Sequence, residues 1–505
     1  MKLGTWSSVI AVTFIVVLGG PSRMAAQGNA KHHPHQYHHY QIADPGTFGG
    51  PQSFQNLGTL GAVGDLNNQG AFGGAADTLT VDPYCIVFPD CYSPHAFVFQ
   101  NGAKTDLGIL PGGRGSQVNW ISTSGLMTGN ADFDQANPLL GTPFQIRGTF
   151  WGHDRVITDI GALPGTYSSS PFAVNNRGEV VGAAMNTIPD SNSMFGSGYQ
   201  TRAFYWKDGV MQDLGTLGTG TDALAGLINE RGQVVGVSYT NAIPSAVCAQ
   251  GGSYLLTTGS FIWDKKNGMK DLGGFGGTCT LASDINNRGQ IVGGSALPGD
   301  SIFHPFVWDA ETGMTTLGTP DGGYGGAGAL NENGDVVGSA ADNSSVVHAL
   351  LWRKRGGKWR MTDLGTFAGG CPFASSVNAS AQVVGFDSCA GLPFLSEGGA
   401  NIVDLNTLVP PNSGLQLNEV GQINDRGEIS INGNDVNNNN HAVVLIPCDE
   451  NHPGVEGCDY SMVDAAAVVA RTTPAVHNPP RRTWPSTMRR MNRHRMSGLG
   501  ALRPE

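Results

Sequence analysis

Long apolar runs, helical stripes and charge are all scarce in this chain. After residue 18 nothing stays apolar for the ~20 residues that a bilayer-spanning helix needs. No 3.6-residue stripe lasts beyond two turns in the body, which argues against a helical bundle. Charged residues make up only 14%, and the net charge of the body is strongly negative, which argues against binding to a phosphate backbone. CxxC is absent, so zinc-ribbon and thioredoxin-type readings lose support. GxSxG and HExxH are absent too, and no close carboxylate pair suggests a glycosidase dyad. What is abundant is glycine, 74 residues without a G-X-Y period, which excludes collagen. Hydrophobic residues at 40% argue against disorder, so many short strands joined by Gly-rich turns are expected.

The first residues read as an address. Lys2 precedes the ten-residue apolar run VIAVTFIVVL (residues 9–18), and small residues follow in MAAQGNA. This is the layout of a Sec-type signal peptide, assigned to residues 1–28. The expected product is secreted or periplasmic, with no transmembrane segment. Eight cysteines in an exported chain imply disulfides. They fall in sequence-adjacent pairs: Cys85/Cys91, Cys248/Cys279, Cys371/Cys389 and Cys448/Cys458. The chain carries −11 overall, yet residues 459–505 hold eight Arg against Asp459, Asp464 and Glu505, so the body is more acidic than the total. The His-rich stretch HHPHQYHH (residues 32–39) is read as part of a linker over 29–39, and residues 448–505 as a Cys-containing loop with a solvated basic tail. No cofactor or metal is called for.

One phrase recurs throughout. NNRGQIVGGS at Asn286 has close copies in NNRGEVVGAA at Asn175, NERGQVVGVS at Asn229 and NENGDVVGSA at Asn331. Aligned on the fourth residue, the copies stand at Gly70, Gly125, Gly178, Gly232, Gly289, Gly334, Ala381 and Gly427, in steps of 45 to 57 residues. Two further phrases accompany it. One is aromatic: HAFVF at His95, RAFYW at Arg202, HPFVW at His304, HALLW at His348 and HAVVL at His441. The other is DLGTLG at Asp213, with relatives at Asp106, Asp159, Asp271, Thr316, Asp363 and Asp404. Together these phrases resemble the HAF-type extracellular repeat family over about four-fifths of the chain. The resemblance implies an exported repeat protein and leaves its chemistry open. Departures are Ala381 for the turn glycine, EISI at residues 428–431 for the closing VVG, and GLPF at Gly391, which has lost its His.

Each unit reads as four strands. Strand a runs into the Asn of N-x-x-G, a turn in which Asn tolerates and Gly accepts positive φ. Strand b is the β-branched VVG segment, strand c the aromatic phrase, and strand d ends in DLG. Four strands per ~50 residues is the spacing of a β-propeller blade. An all-β propeller of about eight blades over residues 40–447 is therefore expected, with seven as the rival. YQIADPGTFGG at Tyr40 is a d strand without a partner unit, and HAVVLI at His441 is a c strand without a d. The N-terminal strand is expected to complete the last blade. Trp151, Trp206, Trp263, Trp308 and Trp352 stand in one column of strand c and read as core rather than as sugar platforms.

A meander of this kind puts d–a and b–c loops on one rim. The b–c gaps run 18 to 23 residues in units one to four and 7 to 11 in the others. The long insertions are residues 75–94, 130–146, 183–201 and 237–258, and insertions on one face often mark binding. The geometry pairs Cys248 with Cys279 and Cys371 with Cys389 across that rim, with Cys85–Cys91 inside one loop and Cys448–Cys458 at the ring's end. GYGGAG at Gly323 matches GxGxxG but lies in a d–a loop, so a dinucleotide reading fails. The repeat histidines read as structural, because a catalytic group would break the repeat's symmetry. Symmetry-breaking residues assigned to the rim are Trp120, Tyr167, Asp222, Tyr239 and Tyr324. The expected function is a monomeric binding or scaffold module for an extracellular glycan or protein; the alternative is a polysaccharide hydrolase or lyase.

Overall fold

The computed structural model describes residues 36–55, 64–83, 91–250 and 256–464. The expected leader, Cys85 and residues 465–505 of the basic tail lie outside these. Within them, eight four-stranded antiparallel sheets succeed one another along the chain and form a ring. Blade 3 is typical: Ser169–Val174 (a), Val180–Pro189 (b), Tyr199–Lys207 (c) and Val210–Asp213 (d) are hydrogen-bonded in sequence order. The fold is the expected β-propeller, with eight blades rather than seven.

Closure occurs as the repeat phrases require. Tyr40–Ala43 runs antiparallel to Asn440–Pro447 and completes the sheet begun by Gln416–Ile423 and Ile429–Asn434. Each of the eight blade junctions has its own apolar cluster. At the closing junction it comprises Leu66, Phe72 and Phe97 of blade 1 with Ala442 and Val444 of blade 8. The tryptophan column is core: all five rings are buried. Each such ring covers ~150–250 Å², or about 4–6 kcal/mol gross at roughly 25 cal/mol per Å².

Two expectations need correction. The stretch read as a linker contributes a strand, Gln36–His38, paired antiparallel with Met462–Asp464 of the stretch read as loop and tail. The cause is apolar burial: Tyr37 and Tyr40 pack against Leu405, Leu408 and Leu445, and the Tyr37 hydroxyl donates to the Asn401 carbonyl at 2.5 Å. Blade 1 also departs from the repeat. Its inner strand is built from Gly49–Phe54, while Leu66, just before the turn Asn67, separately bridges Phe72.

The three recurring phrases are three cross-strand or cross-blade devices. The turn phrase of blade 5 shows the first. Asn286 Oδ1 accepts from the amides of Arg288 and Gln290, both at 3.1 Å. Its Nδ2 donates to the Asn331 carbonyl of the next blade at 3.2 Å. The same Nδ2-to-carbonyl step links Asn175 to Asn229, Asn229 to Asn286, Asn331 to Asn378, Asn378 to Asn424, Asn424 to Asn67 and Asn67 to Ser122. A belt of asparagines thus runs around the ring, interrupted where Ser122 stands in place of Asn. The turn glycine has positive φ, and at Gly334 a Cβ would also meet the Arg288 guanidinium of the previous blade at 2.6 Å. Ala381 is tolerated (φ 58°) where the previous blade offers the shorter Asn333 in place of that Arg.

The VVG glycine and the HAF phenylalanine are cross-strand partners: Gly74 with Phe97, Gly182 with Phe204, Gly236 with Phe261, Gly293 with Phe306 and Gly385 with Phe394. The ring lies over the glycine. A Cβ at Gly236 would sit 2.6 Å from Phe261 and closer still to the Leu224 carbonyl. Blade 8 lacks both members and pairs Ile431 with Val443 instead. The HAF histidine, in turn, meets the DLG aspartate. His95 reaches Asp106 at 2.9 Å, His348 reaches Asp363 at 3.0 Å, and His441 reaches Asp44 of the closing strand at 2.8 Å. Arg202 replaces the His opposite Asp213 at 2.9 Å. These pairs tie strand c to strand d, which is a structural role.

Candidate binding rim

The loops b–c and d–a share one side of the ring, as two disulfides demonstrate. Cys248 of the blade 4 b–c insertion bonds Cys279 of a d–a loop, and Cys371 bonds Cys389 across the same two loop types in blade 7. Cys448–Cys458 also forms. The Cys85–Cys91 pairing falls on residues outside the described ones.

On this side the blades are unequal. Strand b is 10 residues long in blade 1 (Phe72–Val81), 10 in blade 3 and 11 in blade 4 (Val234–Pro244). It is 6 in blades 5 and 6, Ile291–Ala296 and Val336–Ala341. The three long strands pass a register break and stand beyond the ring as hairpins. Asn186 and Asn241 shape two of them, each accepting the amide two residues on, that of Ile188 at 2.9 Å and Ile243 at 2.8 Å. This turn leaves both isoleucines outside the core. The fourth insertion, in blade 2, folds down instead: Asn137 is buried and donates to Ser168 Oγ of the next d–a loop at 3.2 Å.

Trp120, on strand a of blade 2 (Ser116–Ile121), packs against the apolar clusters of junctions 2–3, 3–4 and 4–5 and lies over Gly64. Toward the rim, Phe373 of blade 7 joins one cluster with Met194, Leu224, Tyr239, Val247 and Leu256 of blades 3 and 4. Phe172, Phe195, Leu281 and Tyr324 pack at its border.

This placement revises the residues assigned from sequence. Trp120 is a half-buried packing residue of an inner strand, its ring joining the clusters of three blade junctions. Tyr239 is fully buried beneath the blade 4 hairpin, at the last regular pair before its register break. Asp222 is fully buried too, and its carboxylate accepts the Met194 amide at 2.8 Å. Burial pushes its pKa up to about 6 against the hydrogen bonds that it accepts from Met194 and Thr201. Tyr167 and Tyr324 are half-buried on the rim side, and burial raises the Tyr324 hydroxyl. Asp132 is likewise raised to about 6 by burial, while it accepts from the Gly115 and Arg114 amides. Raised carboxyls are what a hydrolase would need, but these two sit inside the protein holding loops in place. Sequence reasoning missed the hairpin-tip aliphatics, although N-x-I-P occurs at both Asn186 and Asn241.

No family model matches the chain, and no curated protein matches it. Among solved structures, a Mycobacterium tuberculosis puromycin-hydrolyzing peptidase is similar over 65% of this chain and 51% of its own, at 10% identity and a TM-score of 0.38. YCF48 bound to D1 peptide is similar over 81% of this chain and 98% of its own, at 9% identity and 0.37. TolB from Acinetobacter baumannii is similar over 63% and 79%, at 10% and 0.30. The chain spans about half the length of the peptidase. The strand order of the chain itself defines it as a β-propeller.

Proposed function

We propose that this chain is an exported binding or scaffold module of the HAF-type repeat class, engaging an extracellular partner through the rim. The observation that carries the reading is one-sidedness: three blades extend hairpins on the same side, while the opposite a–b turns keep the repeat phrase. The three described disulfides support export. No helix among the described residues is long and apolar enough to cross a membrane. The test is capture of partners from the extracellular fraction and binding to a glycan array. Shortening the hairpins of blades 1, 3 and 4 to the length of blade 6 should abolish the capture. Unchanged capture by the shortened protein would sink the reading.

A further inference from the structure

Apolar exposure and charge coincide on the rim. Leu79 on the blade 1 hairpin is 77% exposed, Ile188 on blade 3 is 53%, Ile243 on blade 4 is 62% and Val436 in the b–c turn of blade 8 is 91%. Aliphatic groups on the hairpins of blades 1, 3 and 4 gain free energy when a partner removes them from water. The surrounding loops carry Asp134, Asp190, Asp300, Asp321, Asp342 and Asp435. Among the described rim-loop residues Arg114 is the one Lys or Arg, and it is paired with Asp134 at 3.0 Å. On the other side cations stand among carboxylates: Arg177 pairs with Glu179 and Arg426 with Glu428, while Glu230 and Glu332 share the a–b turns. The rim loops are therefore acidic and aliphatic, with little cationic charge of their own. Of the tyrosines assigned to the rim, Tyr239 is buried and Tyr167 and Tyr324 are half-buried, so none of the three offers a glycan a fully exposed ring.

We infer that the rim docks a protein segment that is both basic and aliphatic, Lys or Arg meeting the loop carboxylates while apolar side chains cover the tips of Leu79, Ile188 and Ile243. The inference rests on the rim reading above and narrows its partner to one class. Complementary charge speeds encounter and selects the partner, whereas the aliphatic tips supply the salt-resistant part of the affinity.

The probe is a fluorescein-labelled peptide of alternating Leu and Lys, followed by anisotropy on the full secreted chain at about 150 mM salt. Ser–Lys and Leu–Glu peptides of equal length and a neutral oligosaccharide serve as comparisons. The Leu–Lys peptide should bind, the Leu–Glu peptide should not, and Leu79→Ser/Ile188→Ser/Ile243→Ser should weaken binding roughly tenfold or more. The exposed valines of the opposite turns, changed as Val156→Ser/Val210→Ser, should leave it unchanged. All five residues are exposed, and equal melting temperatures would confirm intact folding. Equal binding by the triple variant, or equal binding of the Leu–Lys and Leu–Glu peptides, overturns the inference. If no peptide binds but hairpin shortening still abolishes capture of an extracellular partner, the rim stands and the basic, aliphatic class is wrong.

Discussion

Changing Asn286→Ala isolates what the asparagine belt contributes. The side chain is buried and makes four hydrogen bonds: two accepted from Arg288 and Gln290, and two donated, to Gln290 Oε1 at 3.0 Å and the Asn331 carbonyl at 3.2 Å. At ~1 kcal/mol net for each bond, the loss is about 4 kcal/mol, with a further ~1–3 for any buried group left unpaired. A ring of roughly 400 residues unfolding as one unit has an entropy of about 0.8 kcal/mol/K, so the melting temperature should fall by about 5 °C. Asn287→Ala is the control, because its side chain accepts the Glu230 amide at 2.8 Å from an exposed position. That variant should lose under ~1 kcal/mol. Calorimetry and urea denaturation read both. Equal losses in the two variants, or a fall below ~1 °C for Asn286→Ala, would refute the reasoning.

Four further outcomes follow from the same geometry. Ser122→Asn should supply the missing link to blade 3 and raise stability by about 1 kcal/mol in urea titration, provided its amide reaches the Asn175 carbonyl. Gly236→Ala should cost about 3 kcal/mol or more, because the Leu224 carbonyl and the Phe261 ring occupy the methyl's place, and soluble yield with melting temperature will check it. Burial raises Asp65 to about 7, with the Ser430 hydroxyl opposing, so the folded state holds that proton more tightly than the unfolded chain does. Its contribution is fully present below the unfolded pKa of about 4 and lost as pH rises to about 7. Asp65→Asn should flatten that slope and stabilise the protein at about pH 8 by up to about 4 kcal/mol in pH-resolved melting. A chain beginning at Pro45 loses the outer strand of blade 8 and the Asp44–His441 pair, and should melt well below the full chain.

The four-strand unit, the blade number and the closing strand were legible because each rests on local chemistry. N-x-x-G specifies a turn, VVG and the aromatic phrase specify strands, and an orphan d phrase at one end matches a missing d at the other. The two rim disulfides, Cys248–Cys279 and Cys371–Cys389, followed from the same meander, since loop types on one side must neighbour each other. Individual rim residues were less legible. Tyr239 and Asp222 break the repeat and looked like contact residues, but a symmetry break also arises where an insertion has to be anchored from below. Trp120 breaks it to pack against three blade junctions at once.

The sequence by itself determined the periodic architecture, because turn and strand preferences are properties of a few consecutive residues and recur with the phrase. Only the tertiary structure decided why each phrase is written as it is. The asparagine clasps the next blade, the glycine makes room for a phenylalanine one strand over, and the histidine meets an aspartate at the end of strand d. It also decided which side chains reach solvent. Exposure depends on what the ring brings from residues far along the chain, and no short stretch of sequence contains that information.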